Sequence, residues 1–235
     1  MRTDGRSTHT PVTAPKGRQG FDAELEQLRL QVELMAVRVD QNLERMRSFL
    51  ASGDVRVAAR AFAADDDIDA MNLSLTDRCH DLLAREAPVA SDLRFVVSVM
   101  RVLGELERIG DLALRVAKVG GDWPVVRAHE QTYDVLCSMA DIAVEQFRLA
   151  LDAWSRQDFG EADRLARSTR VLDLANDQLT RELLRLDGPT AVPAAIHSLT
   201  IGRSLDRIAD HAAIIGSRLR YLITGDPGYL AAEVR

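Results

Sequence analysis

Leu106-Glu107-Arg108-Ile109-Gly110-Asp111 recurs 99 residues later as Leu205-Asp206-Arg207-Ile208-Ala209-Asp210. Two carboxylates four residues apart therefore occur twice within the same local frame. On a helix such a pair lies on one face, about 40° apart, where like charges repel by roughly 0.2–0.5 kcal/mol. A bound cation or flanking arginines would offset that repulsion.

Outward from the hexapeptides, the rest of the chain repeats as well, and internal repetition decides architecture before any local reading. From Phe21 onward Leu25, Leu28, Val32, Met35, Val39, Leu43, Met46 and Leu50 form one apolar stripe at helical spacing. An offset of 104 carries Val32, Met35, Val39, Leu43, Met46 and Leu50 onto Leu136, Met139, Ala143, Phe147, Ala150 and Trp154. The same offset maps Asp54, placed as a helix N-cap, onto Asp158, and Val55, Ala58, Phe62, Ile68 and Asp69 onto Phe159, Ala162, Ala166, Leu172 and Asp173. Leu75-Thr76 and Leu82 fall on Leu179-Thr180 and Leu186. The turn at Glu86-Ala87-Pro88 is longer than its counterpart at Asp187-Gly188-Pro189, so the offset drops to 99 and the hexapeptides align.

Each half is then three helices, at 21–52, 54–86 and 89–119 in the first and at 125–157, 158–187 and 190–223 in the second. The fold class this predicts is all-α: an elongated helical bundle of two tandem three-helix repeats, residues 20–120 and 125–226, packed about 20° off antiparallel. Gly120-Gly121-Asp122-Trp123-Pro124 ends one repeat and starts the next. Residues 1–19 hold Thr, Gly, Pro and Arg with almost no large apolar side chain, and are expected to form a mobile tail.

Composition narrows the function. With 235 residues and 46% hydrophobic content the chain can bury a sizeable core, and no apolar run reaches membrane-spanning length. Without a hydrophobic leader, the cytoplasm is the expected compartment, and membrane contact would come only through partners. A net charge of -6 with no basic block argues against nucleic acid. Cys79 and Cys137 stand alone within helical segments and read as packing residues.

The chemistry then rests on acids. Glu107, Asp111, Asp206 and Asp210 suit hard cations, because carboxylate oxygen ligates Mg, Ca, Mn and Fe. His211 can add a nitrogen ligand beside the second pair, whereas Leu112 stands at the equivalent place in the first. Asp65-Asp66-Asp67-Ile68-Asp69 opens a second acidic cluster, and Asp69, with Asp173 and Asp177 in the other repeat, is a weaker candidate. The bland alternative is a solvated charge ladder in which Arg203 pairs with Asp206 and Arg207 with Asp210. His80, His129 and His197 read as structural or surface histidines. No catalytic residue is expected: there is no G-x-S-x-G, phosphate loop or H-E-x-x-H, and no Glu-x-x-His of the kind di-iron helical oxidases need.

The chain resembles the PhoU family of phosphate-signalling regulators across residues 21–226. Pro88-Val89-Ala90-Ser91-Asp92-Leu93-Arg94, the two hexapeptides with His211-Ala212, and Tyr221-Leu222-Ile223-Thr224-Gly225-Asp226 carry the match. The resemblance implies a non-enzymatic negative regulator of the phosphate-starvation response that contacts the phosphate ABC transporter ATPase and a membrane sensor histidine kinase. It also implies divalent or iron-type metal ions at the E/D-x-x-x-D positions, here Glu107, Asp111, Asp206 and Asp210. Asp206 stands where Glu is frequent. A homodimer is the expected assembly. Two other readings compete: a metalloenzyme or metal-storage bundle using the same carboxylates, and a purely structural dimerising bundle.

Overall fold

The stripe that begins at Phe21 becomes a single long helix, because its apolar residues return every three or four positions with no proline to interrupt them. A computed structural model of the chain describes residues 17–167 and 170–234. In it α1 spans Arg18–Ser52 and buries Phe21, Leu28, Val32, Met35, Val39, Leu43, Met46 and Leu50. It stops at Gly53, whose φ of 68° is left-handed and whose N–H donates to the Phe49 carbonyl. Asp54 then accepts a hydrogen bond from the Arg56 N–H and starts α2, Val55–Glu86. Asp158 does the same for the second repeat, accepting from the Glu161 N–H at 3.0 Å.

The remaining helices are α3 (Ala90–Ala117), α4 (Trp123–Arg127), α5 (Glu130–Arg156), α6 (Phe159–Arg167), α7 (Arg170–Leu183) and α8 (Ala191–Thr224). The described residues contain no strand. Helices α1, α2 and α3 pack on one another, as do α5, α6, α7 and α8, and the two units join along two seams, α3 with α8 and α1 with α5. One core runs through both repeats, so that Val39 and Ala143, Leu43 and Phe147, Ile68 and Leu172, and Leu75 and Leu179 are all buried. Along the α1–α5 seam Glu44 and Arg148, equivalent positions in the two repeats, form an ion pair at 2.6 Å, and Arg148 also holds Asp40. Equivalent residues meet where a pseudo-twofold axis crosses a seam.

Two expectations need adjustment. Of the expected tail, residues 1–16 lie outside the described residues, while Arg18 and Gln19 are already helical. The Gly120–Pro124 segment does not lead straight into the next long helix: residues 118–122 form a 3-10 turn, Pro124 opens the short α4, and α5 starts only at Glu130. The reason is Trp123. Its indole N–H donates to the Leu50 carbonyl at 2.9 Å, as does the Tyr133 hydroxyl, so the linker is fastened to the open end of α1.

Candidate functional site

The first hexapeptide lies in the middle of α3, where Leu106, Ile109 and Gly110 are buried and Glu107 and Asp111 border α2. Gly110 lies against α2, where a Cβ would make ordinary contact with Asp65 Oδ1 at 3.5 Å and Ile68 at 3.9 Å. That packing gathers acids from two helices. Burial, and then the charges of Asp69, Asp111, Asp66 and Glu107, push the Asp65 carboxyl up to about 6. Glu107 is raised by burial and by Asp111 and Asp69, against the opposing pull of Arg108 and His211. Asp69, expected as a weaker candidate, therefore belongs to this first cluster. Sequence reasoning undervalued Asp65, whose place opposite Gly110 depends on helix packing.

The second hexapeptide is arranged equivalently on α8. Burial and the charges of Asp206 and Asp173 raise Asp210, opposed by His211 and Arg207. The Asn176 amide donates to Asp206 Oδ1 at 2.7 Å, a contact the sequence did not disclose. Asp177 lies exposed one turn further along α7, and the acids that raise Asp210 are Asp206 and Asp173. Neither Arg203 nor Arg207 forms an ion pair among the described residues, so the alternative ladder of Arg203 to Asp206 and Arg207 to Asp210 is not formed there. The carboxylates are left to repel one another.

His211 has a different engagement from the one expected. Its Nδ1 lies 2.5 Å from Glu105 Oε2 across the α3–α8 seam, leaving only Nε2 for any ion. Glu105 is completely buried; its Oε1 also accepts from Arg108 Nη1 and forms an ion pair with Arg101 Nη2, each at 3.0 Å. A carboxylate paired with two guanidinium groups and hydrogen-bonded to an imidazole is how a buried charge is tolerated. His129 lies near Thr190, His197 near Asp122, and His80 is exposed. Cys79 is buried, its thiol pushed up to about 12 by desolvation, as a packing cysteine should be.

The donor chemistry of both clusters fits a hard cation, being almost entirely carboxylate oxygen with one amide. Among the described residues no three His, Cys, Asp or Glu side chains are yet gathered closely enough to hold a metal ion. Binding would therefore require side-chain rotation that draws the acids together.

Comparison with known proteins agrees with the internal repeat. The PhoU domain model matches residues 32–119 and again 136–219. The chain is 28% identical over 207 residues to the phosphate-specific transport system accessory protein PhoU of Escherichia coli K12, covering 87% of this chain and 86% of that protein. It is 30% identical over 209 residues to the PhoU homolog of Pseudomonas aeruginosa, covering 88% of this chain and 86% of that protein. The crystal structure of PhoU from Pseudomonas aeruginosa superimposes with a TM-score of 0.82 at 30% identity, covering 88% of this chain and all of that one. That of the phosphate transport system regulatory protein PhoU from Streptococcus pneumoniae gives 0.79 at 28% identity, covering 88% of this chain and 98% of that one. Two matched repeats, spanning most of the chain, show that it belongs to the PhoU domain family.

Proposed function

We propose that this chain is a regulator of phosphate transport that acts without catalysis. In this reading it is a negative regulator of phosphate uptake and starvation signalling, an adaptor between the phosphate ABC transporter ATPase and a sensor histidine kinase. Support comes from relatives named as accessory proteins of phosphate-specific transport, matched along nearly their whole length. No helix among the described residues is long and apolar enough to cross a membrane, so the transporter would be reached by docking in the cytoplasm. A homodimer would present the same surfaces twice.

The observation that carries the regulatory part is the pair of acid clusters along the outer edges of the α3–α8 face, each raised by burial and mutual repulsion. Glu107 and Asp111 with Asp65 and Asp69 would hold one cation, and Asp206 and Asp210 with Asp173 another. A divalent or iron-type ion there would supply positive charge, turning a repelling edge into one that accepts an acidic partner.

Two measurements test this reading. Chain recovered from cells grown in high phosphate should bring down the transporter ATPase and a sensor kinase, and its deletion should switch on the starvation response in high phosphate. Retention of repression in the deletion strain would overturn it. For the cation seats, Glu107→Gln with Asp206→Asn should lower both metal content and partner affinity; unchanged values for both would show that the clusters are only a solvated face.

A further inference from the structure

The buried Glu105 does more than link two helices. Arg108 Nη1 donates to its Oε1 and Arg101 Nη2 pairs with the same oxygen, each at 3.0 Å, so two guanidinium groups from the turns on either side of Glu105 are held side by side. Both remain open to solvent, their side chains 32% and 48% exposed, while Glu105 itself is 0% exposed. Between them on the same face lies Gly104. A Cβ added there would meet nothing except the Arg108 guanidinium at 3.9 Å. Glycine in the interior of a helix costs about 1 kcal/mol relative to alanine, and here no neighbouring helix requires the missing side chain. What the glycine leaves is bare backbone beneath two oriented guanidinium groups.

The opposite wall comes from α8. His211 lies against Glu105, and Arg94 lies against Gly225, so α3 and α8 run antiparallel. That register sets Arg207 beside Arg108, with Arg203 one turn away. Both are exposed and without an ion pair among the described residues. The second repeat does not duplicate this arrangement: Thr200, Arg203, Ser204 and Arg207 stand where the first has Arg101, Gly104, Glu105 and Arg108. The acids lie outside it, Glu107 and Asp111 towards Asp65 and Asp69 of α2, Asp206 towards Asn176 of α7.

We propose that Arg101, Gly104 and Arg108, oriented by Glu105 and faced by Arg207 of α8, form a binding site for a phosphate oxyanion at the centre of the α3–α8 face. Guanidinium groups offer paired donors that match two oxygens of a tetrahedral oxyanion, and a planar fork fixed in advance loses little freedom on binding. The open backbone at Gly104 allows a third oxygen to approach where a Cβ would stand. The chemistry fits a small phosphate group, either free or carried as a phosphomonoester.

The site needs no metal ion, so it can be tested separately from the cation seats. Calorimetric titration of the full chain, stripped of metal with a chelator, uses inorganic phosphate in one arm and phosphoserine in the other. The tighter arm identifies the source of the phosphate group. Arg108→Gln with Arg207→Gln should weaken binding at least tenfold. Gly104→Glu should abolish it without lowering the melting temperature, since a carboxylate replaces the open floor and glutamate suits a helix better than glycine. Glu107→Gln with Asp206→Asn should leave it intact or tighter. No binding of either ligand at millimolar concentration, or Gly104→Glu binding as the wild-type chain does, overturns the proposal.

Discussion

Asp65 shows how a single carboxyl can report the state of its neighbours. In the folded chain burial and four nearby acids lift it to about 6, from an ordinary value of 3.8. Between those values the native state holds a proton that the unfolded chain has released. Its contribution to stability is therefore complete below about pH 4 and is lost as pH rises through about 6. Asp65→Asn should raise stability at neutral pH by about 1 kcal/mol, after discounting for solvent screening, and change nothing near pH 4. Thermal melts of both proteins at the two pH values check the sign. Glu105 is the opposite case, a buried acid with all its partners present. Removing one member of a buried ionic network costs about 3–5 kcal/mol where the others are left stranded. Arg101 and Arg108 can turn to water, being 32% and 48% exposed. Glu105→Ala is therefore expected to cost about 2 kcal/mol in urea denaturation, below that range.

The ends of the helices carry as much of the fold as their faces. Gly53 closes α1 at a φ of 68°, and a Cβ there would fall 2.6 Å from the Trp123 ring. Gly53→Ala would add left-handed strain of about 1–2 kcal/mol and displace the indole that donates to Leu50. A loss of at least 2 kcal/mol is expected, read from the urea midpoint, whereas Gly104→Ala should gain about 1 kcal/mol at an open helix position. At this scale the sequence was most legible. Asp54 and Asp158 do cap their helices, and the stripe from Leu28 to Leu50 is buried as its spacing required. Both signals are local, set by the periodicity of one helix or by a cap and its own first turn. Less legible was what depends on a second helix. Asp65 joins Glu107 only because α2 packs on α3, and His211 turns to Glu105 only because α3 and α8 are antiparallel. Glu105 did leave a trace, as an acid on the otherwise apolar line of Val102, Ile109, Leu112 and Val116, all buried. A charge in such a line signals a buried partner without naming it. The linker was misjudged for a related reason, since Trp123 and Tyr133 are held by carbonyls at the far end of α1.

At the scale of the whole molecule, the duplicated sequence does not produce two independent units. α3 and α8 pack on each other as extensively as helices within one repeat do, and one core includes Val39, Ile109, Phe147 and Ile208 from both halves. The seams are also fixed electrostatically, by Arg148 with Asp40 and Glu44 on one side and by His211 with Glu105 on the other. A chain covering residues 17–122 alone would expose the face of α3 that bears Val99, Val102, Leu106 and Ile109, and would open Glu105 to water. Elements that cannot bury their apolar faces within one repeat need the neighbouring repeat to complete the core. The isolated first repeat should keep helical far-ultraviolet dichroism, lose a cooperative thermal transition and self-associate in light scattering. A sharp, concentration-independent melt of a monomeric half would show instead that each trihelical unit folds by itself. The acid clusters would then sit on two bodies free to move apart, and the α3–α8 face could not hold Arg108 and Arg207 in a fixed relation.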